Sequence, residues 1–239
     1  MQTIRIGVKT SVITLLSIWI LAPAAQAALI GTVPTAPGVT VVPGLVPTGT
    51  APGTLLASLS APFVSTLGTT AGTIVSAVYR ESGGTLDFYY QVTNNTTAPN
   101  CGSAGQTACD PISRETDTAF TGFMTSLGFR IDGGSLVGGA FVNGTVPPVT
   151  GDRNSVGNVV GFSFIPPDAA KIQPGQISNV LVISTNATNF TAGNASVIDG
   201  GVTTVASFEP ASAVPEPTSL LLVGGALLFL GRIRRVRRM

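Results

Sequence analysis

Carboxylates are the side chains of this sequence that could do acid–base chemistry, because its 239 residues include no histidine. The lack of histidine excludes Ser-His-Asp and Cys-His catalysis and His-ligated zinc. A glycosidase can work with two carboxylates alone, and the candidate acids are Asp110, Glu115, Asp117 and Asp132. Acids beside Gly, Pro, Asn or Ser are typical of loop tips and turn caps. We therefore predict turn positions for these four acids and expect neither a catalytic residue nor enzyme activity.

Two cysteines are the other reactive side chains. Cys101 and Cys109 bracket a polar, Gly-rich stretch of nine residues, and such a pair most often forms a disulfide in an oxidising compartment. Asp132-Gly133-Gly134 and Asp152-Arg153-Asn154-Ser155 offer oxygen ligands, but neither has the spacing of an EF-hand or RTX calcium loop. We predict a Cys101–Cys109 disulfide, no metal site and no cofactor.

The elements that position these residues have strand periodicity. Residues 73–80 and 85–93 flank the turn Glu81-Ser82-Gly83-Gly84, which predicts a β-hairpin. Further strands are predicted at 55–64, 118–125, 126–131, 135–142, 157–165, 177–185 and 202–208. Residues 186–196 carry three Asn-x-Thr or Asn-x-Ser triplets and are expected to be turn-prone surface. About eight or nine short strands predict an all-β fold, an antiparallel β-sandwich or jelly-roll-like domain over residues 72–210.

Period-two alternation divides the aromatic residues of the predicted hairpin between two faces. Phe88 and Tyr90 share one face, which we expect to point into the core. Tyr79 and Tyr89 then remain as platforms on which a sugar ring could stack. A carbohydrate-binding module is therefore the alternative to a non-catalytic structural role, and a carboxylate-based glycosidase is the less favoured third reading.

The segment 28–71 is rich in Pro, Gly and Thr, and the sequence has no charged residue between Lys9 and Arg80. Its repeated prolines forbid a helix and remove donors from any strand ladder. We predict an extended leader with partly polyproline-II conformation. The valines and leucines between the prolines would let parts of it pack along a sheet edge.

The N-terminus has the three parts of a secretory signal peptide. Two cations precede the uncharged run 11–21, and Ala25 and Ala27 place small residues at the two positions that signal peptidase reads. The apolar run is too short to span a bilayer comfortably. We predict a signal helix and signal peptide at residues 1–27, with cleavage before Ala28.

The C-terminus carries a motif, an apolar run and a basic tail, in that order. The motif is Val214-Pro215-Glu216-Pro217, and a helix over 218–231 would be about 21 Å long against a hydrocarbon core of about 30 Å. Five arginines follow: Arg232, Arg234, Arg235, Arg237 and Arg238. Arginines directly after an apolar run act as a stop-transfer cluster and hold the C-terminus in the cytoplasm. We therefore predict a single, weak transmembrane helix and expect no nucleic-acid partner.

This ending closely resembles the PEP-CTERM sorting signal of exosortase substrates in Gram-negative bacteria, and we assign residues 211–239 to it. The resemblance implies processing by signal peptidase and then by a membrane-embedded exosortase. It also implies that the C-terminal helix anchors the chain in the membrane only until the body moves to the cell surface or extracellular matrix. Unrelated passengers share this signal, so it implies a route and not an activity.

Composition separates the body from its terminal signals. The whole chain has 10% charged residues and a mean hydropathy of +0.45, which is too apolar for a disordered protein. Between the signals there remain five basic and ten acidic residues, and an acidic body favours solubility over binding to polyanions. We predict an exported, non-catalytic surface or matrix protein with a structural, adhesive or biofilm-associated role and exopolysaccharide as its expected partner.

Overall fold

The computed structural model describes residues 29–102, 109–199 and 201–212. The predicted signal peptide with Ala25, Ala27 and Ala28 lies outside these residues, as do the motif 214–217, the predicted sorting helix and the arginine cluster. Within the described ranges, no helix combines the length and the apolar character that a membrane crossing requires.

The described residues form strands joined by turns and by two single-turn 3-10 helices, Gly133–Ser135 and Asp168–Ala170. The strands are β1 Val33–Pro34, β2 Thr40–Val41, β3 Gly44–Leu45, β4 Thr54–Val64, β5 Ala71–Arg80, β6 Leu86–Asn94, β7 Arg114–Asp117, β8 Thr125–Arg130, β9 Thr150–Arg153, β10 Val160–Ser163, β11 Val180–Thr185, β12 Asn189–Ile198 and β13 Val202–Ala211.

These strands build two sheets. The first has the order β1-β8-β11-β6-β5-β4, with β3 also pairing with β8, and the second has the order β13-β12-β7-β10-β9-β2. The pairs are antiparallel except for β3 with β8. The prediction of an all-β, antiparallel fold is confirmed, and the two sheets are consistent with a β-sandwich.

The main hydrophobic core draws on the inner faces of both sheets. Its buried side chains from the first sheet include Ile74, Val78, Phe88, Tyr90, Leu127, Leu181 and Ile183, and those from the second include Val160, Phe162, Ala195 and Val197. Phe88 and Tyr90 point into this core, as their alternation predicts. Each large side chain buried in this way stabilises the fold by roughly 1.5–3 kcal/mol.

A second core lies on the opposite face of the first sheet. It joins Tyr79 and Tyr89 to Phe141 from the loop after the first 3-10 helix and to Leu29 and Val46 from the predicted leader. Residues 29–71 thus supply β1 to β4 and cover one face of the sheet, in addition to pairing at its edges.

The hairpin prediction is confirmed, since β5 and β6 pair in continuous register from Gly72–Asn94 to Arg80–Leu86. Strands are also confirmed at the predicted positions of β4, β8, β11 and β13, and β10 occupies the middle of the predicted segment 157–165.

The predicted strand at 118–125 is wrong, because only its last residue belongs to a strand. The backbone instead turns at Ala119, where φ is 70°. Two of its carbonyls are bound by a distant side chain: the Arg153 guanidinium donates to the carbonyl oxygens of Phe120 and Phe123. These carbonyls therefore need no neighbouring strand.

The predicted strand at 135–142 is also wrong. Only the first 3-10 helix reaches into this segment, at Ser135. The Gln91 side-chain amide donates to the Val142 carbonyl at 2.8 Å and accepts from the Val142 N–H at 2.9 Å. One amide side chain thus satisfies the backbone groups that a strand partner would otherwise satisfy.

Candidate functional site

The disulfide predicted between Cys101 and Cys109 is present, with Cα atoms 4.8 Å apart. Backbone hydrogen bonds tie its two ends to the turn between β4 and β5: Asn100 N–H donates to the Gly68 carbonyl at 2.7 Å, and Asp110 N–H donates to that of Thr69 at 3.0 Å. These hydrogen bonds attach the long β6–β7 connection to the turn between β4 and β5, and the disulfide closes the loop between the two attached ends.

The structure does not bring the four candidate carboxylates together. Asp110 follows the disulfide, and Asp132 precedes the first 3-10 helix, as the turn prediction requires. Arg130 donates to both oxygens of Asp132 at 3.0 Å, which together with the Gly49 N–H holds the pKa of Asp132 down at about 2. The turn prediction is wrong for Glu115 and Asp117, which lie in the middle of the second sheet on β7.

Glu115 and Asp117 point into the main core. They alternate with Arg114 and Thr116 along β7, so they share one face. Their cross-strand neighbours on that face are Phe162 and Val197 for Glu115 and Val160 and Ala195 for Asp117, all of them buried. The exposed fraction is 0% for Glu115 and 1% for Asp117.

Burial decides the protonation of this pair. Desolvation raises the pKa of Glu115 to about 7. Desolvation and the neighbouring Glu115 raise the pKa of Asp117 well above its usual range. The oxygens of two ionised carboxylates only accept hydrogen bonds, and none of these four oxygens has a described donor. A hydrogen bond between the two carboxyl groups therefore requires that one of them keeps a proton.

This acid pair is buried among apolar side chains and away from solvent. Tyr90 lies beside Asp117, and its hydroxyl donates to the Phe208 carbonyl at 3.0 Å. Burial raises the pKa of Tyr90 as well. The pair therefore has the separation from solvent that raises carboxyl pKa values, but it lacks the open cleft in which a glycosidase holds a sugar.

A second buried acid is absent from the candidates chosen by sequence. Asp87 lies on β6 with 0% exposure, on the face of the first sheet that carries Tyr89. Desolvation, followed by the neighbouring Glu81, raises the pKa of Asp87 well above its usual range. The sequence does contain a signal for this buried acid, because Asp87 lies between Leu86 and Phe88 in an otherwise uncharged strand.

The outer face of the second sheet is polar. One row of residues crosses the sheet in register: Thr204, Ser196, Thr116, Gly161, Asp152 and Thr40. We call these six residues the polar row. The hydroxyls of Ser196 and Thr204 lie 2.8 Å apart. Arg114 reaches across Gly161 to Asp152, with Nη2 and Oδ1 2.8 Å apart.

The prediction that Tyr79 or Tyr89 forms an exposed platform is wrong. Both are completely buried, with ring centroids 4.8 Å apart, and Phe141 packs against Tyr89 at 6.4 Å. The leader and the loop that contains Phe141 cover the face on which alternation had placed them.

Two of the open grooves on the described surface have no carboxylate in their lining. One, of about 680 Å³, includes Pro34, Phe123, Met124 and Arg153, and the other, of about 440 Å³, includes Lys171. The guanidinium of Arg153 is fully engaged at the base of its groove by the carbonyls of Phe120, Phe123 and Gly157 and by the Thr125 hydroxyl.

The two segments considered as oxygen ligands for calcium use their acids in ion pairs, Asp132 with Arg130 and Asp152 with Arg114. No group of three or more acidic or cysteine side chains within the described ranges is arranged to hold a metal ion. Comparisons of the whole chain with protein families, curated proteins and solved structures find no match.

Proposed function

We propose that this chain is an exported, non-catalytic protein of the cell surface or extracellular matrix, delivered by the exosortase route. The observation that carries the proposal is the agreement of its two ends: a signal peptide at 1–27 and a PEP-CTERM-like ending with Val214-Pro215-Glu216-Pro217, an apolar run and five arginines. Both ends place the body on the far side of the inner membrane.

The body is suited to that location. Its disulfide fits an oxidising compartment. We propose that the two sheets form a β-sandwich whose acids serve the fold rather than a reaction. Glu115 and Asp117 are sealed in the core, and Asp132 and Asp152 are held by arginines.

The polar row is the surface that we assign to exopolysaccharide. It presents short hydroxyl side chains on three neighbouring strands, Thr204, Ser196 and Thr116, about 4.8 Å apart. Thr40 adds a fourth hydroxyl beyond Gly161 and Asp152, and Thr40 and Thr204 are exposed at the two ends of the row. Hydroxyls can both donate to and accept from sugar hydroxyls. A row that crosses a whole sheet suits an extended polysaccharide better than a small molecule.

Deletion of residues 214–239 tests the route. The full chain is expected at the cell surface or in the matrix, with a mass that shows both cleavages. The truncated chain should instead be released into the periplasm or medium. Alanine replacement of Pro215, Glu216 and Pro217 should leave the tail uncut and the protein in the membrane fraction. Identical fractionation of the full and truncated chains would overturn the sorting proposal.

Exopolysaccharide pull-down tests the surface. Ser196→Glu introduces a bulky charge between the hydroxyls of Thr204 and Thr116 in the polar row and should abolish retention. Thr121→Glu adds the same charge in an exposed loop outside the row and should leave retention unchanged. Equal retention of the two variants would remove the polar row from the proposal, and no retention of the wild-type protein would remove exopolysaccharide as its partner.

A further inference from the structure

One lateral side of the fold is formed by two long edge strands. β4 ends the first sheet and β13 ends the second, and these two strands lie in contact. At their other edges the sheets end in β1 and β2, each of two residues. An edge strand presents unpaired backbone N–H and C=O groups to whatever lies beside it. The long side is therefore where an added strand would find the most hydrogen-bonding groups.

The edge of β4 is interrupted at two points. The N–H of Asn95, the residue after β6, donates to the Ala71 carbonyl, so the backbone groups of Ala71 and of Thr73 lie on the β6 side. Pro62 is opposite Thr73 and therefore faces the open edge, where it has no N–H to donate. A register shift interrupts β4 near its start as well. Prolines and bulges of this kind prevent an edge strand from pairing.

The alternation of backbone groups in β13 follows from its ladder with β12. The Ser113 N–H donates to the Ile198 carbonyl, which therefore lies on the β7 side of β12. The backbone groups of Val197 then lie on the β13 side, and those of Thr203, which is opposite Val197, point to β12. Thr204 and the residues two positions before and after it consequently direct their N–H and C=O groups to the open edge.

The available part of this edge has defined limits. Towards the C-terminal end of β13, Pro210 has no N–H, and the Phe208 carbonyl already accepts from the Tyr90 hydroxyl at 3.0 Å. At the other end, β13 begins directly after the turn from β12. No other strand or loop of the described residues binds the outward backbone groups between these limits. The residues that carry them are Val202, Thr204 and Ala206, all uncharged and exposed on the outer face.

A second copy of this segment fits it in one antiparallel register. When Thr204 lies opposite Thr204 of the second copy, Val202 lies opposite Ala206 of the second copy, and Ala206 lies opposite its Val202. Each of these pairs can exchange two backbone hydrogen bonds, because both members face the shared edge. A shift of the register in either direction leaves one of the outward residues without a complete partner, since the turn or the occupied Phe208 carbonyl then lies opposite it.

The same register joins two polar rows. Thr204 is the end of the polar row, and its neighbour in the row is Ser196. A two-fold axis at Thr204 therefore places the rows of the two copies end to end on one continuous outer face. A strand of another sequence could supply the backbone hydrogen bonds but would not continue the row. This continuity favours a second copy of the chain over an unrelated strand.

We propose that two copies of this chain pair through residues 202–206 of β13, antiparallel and with Thr204 on the two-fold axis. The two second sheets then form one continuous sheet, and the contact is isologous, as in most homodimers. The pairing does not depend on the export route. The use of the joined rows as one exopolysaccharide surface rests on the proposed function.

Single cysteines test the register. Thr204→Cys places the Cα atoms of the two new cysteines about 5.5 Å apart, within the range of a disulfide. Val202→Cys and Ala206→Cys are the matched controls, since each alone places them about 14 Å apart. The full chain is purified in detergent, oxidised with copper phenanthroline and separated by non-reducing electrophoresis.

We expect at least about half of the Thr204→Cys chains as covalent dimers, against less than about a tenth for either control alone. An equimolar mixture of Val202→Cys and Ala206→Cys, carrying different tags, should form the covalent dimer that neither forms alone. The wild type should form none, because its two cysteines are paired with each other.

Light scattering of the purified full chain supplies a second measurement. Thr204→Pro removes an outward N–H that β12 does not use, and should raise the dissociation constant of the dimer at least about tenfold. Ser60→Pro makes the same change at the edge of β4, two residues before Pro62, and should leave the dissociation constant unchanged. Circular dichroism shows whether each variant keeps its sheets, and the cysteine result decides if Thr204→Pro does not.

A monomeric wild type, or a Thr204→Cys chain that forms no covalent dimer, would overturn the inference. Equal cross-linking of Thr204→Cys and Val202→Cys would also overturn it, because the two copies would then not share this register. Equal effects of Thr204→Pro and Ser60→Pro would assign association to the side as a whole and not to β13. These measurements require neither tail-dependent sorting nor exopolysaccharide, so the pairing can fail while both of those tests succeed.

Discussion

Replacement of Glu115 by Gln should make the protein more stable at neutral pH. The folded-state pKa of Glu115 is about 7, against an ordinary pKa of 4.5 for an exposed glutamate. The difference of about 2.5 pH units corresponds to about 3 kcal/mol at about 1.4 kcal/mol per unit. Glutamine has nearly the same shape, cannot ionise, and can donate a hydrogen bond to Asp117.

The direction follows from the number of protons bound. Between pH 4.5 and 7 the folded state keeps a proton on Glu115 that the unfolded state has released. The contribution of Glu115 to the free energy of unfolding is therefore fully present below pH 4.5 and decreases as the pH rises towards 7. The raised pKa of Asp117 acts in the same direction.

Urea denaturation of residues 28–239, followed by far-UV circular dichroism, gives the free energy of unfolding at pH 5 and pH 7.5. We expect the wild-type value to fall by at least about 2 to 3 kcal/mol between them. At pH 7.5 the free energy of unfolding of Glu115→Gln should exceed that of the wild type by that amount. Asp168→Asn, whose acid is 89% exposed, should behave as the wild type does. A Glu115→Gln protein that loses as much stability as the wild type would refute the reasoning.

Three further substitutions test other buried contacts by the same denaturation. Arg153→Lys keeps the charge but loses the planar set of N–H donors, and should lower the free energy of unfolding by about 2 to 4 kcal/mol. Gly144→Ala should cost at least about 2 kcal/mol, because its Cβ would overlap the backbone carbonyl of Ser178. Serine at both Cys101 and Cys109 should cost about 2 to 3 kcal/mol, since the disulfide closes a nine-residue loop.

Matched controls separate these effects from general sensitivity. Arg80→Lys replaces an exposed arginine, and Gly83→Ala adds a Cβ that would meet no atom within 4 Å. Both should change the free energy of unfolding by less than about 0.5 kcal/mol. Equal losses in Arg153→Lys and Arg80→Lys would show that the Arg153 contacts do not hold the loop. Equal losses in Gly144→Ala and Gly83→Ala would show that the overlap with the Ser178 carbonyl does not cause the loss of stability.

The β5–β6 hairpin could be predicted because the residues that determine it lie close together in the sequence. Phe88 and Tyr90 alternate with residues of the other face, and a Gly-containing turn joins the two strands. Each strand is also long enough for the period to be clear. The same features predict β4, β8, β11 and β13.

The two wrongly predicted strands depend on distant side chains. Arg153 lies 30 residues from the Phe123 carbonyl that it binds, and Gln91 lies 51 residues from Val142. Local composition in 118–125 and 135–142 resembles that of a strand, and nothing in it indicates that an arginine or an amide replaces the partner strand. Such contacts exist only after the chain has folded.

The missed strand β12 and the buried acids have a related cause. Residues 189–198 contain Asn, Gly and Ala, which are poor strand formers, but β13 pairs with this segment over its whole length. Glu115 and Asp117 follow a proline-containing turn and look like cap residues. Their burial comes from β10 and β12, which flank them from 43 to 82 residues later in the chain.

The buried acids Glu115, Asp117 and Asp87 lead to one expectation for the pH dependence of the fold. Glu115 and Asp117 are enclosed by apolar side chains of both sheets, so only a proton can neutralise them, and their cost increases with pH. Asp87 is buried on the other face of the first sheet, where burial raises its pKa well above its usual range, so its cost should also increase with pH.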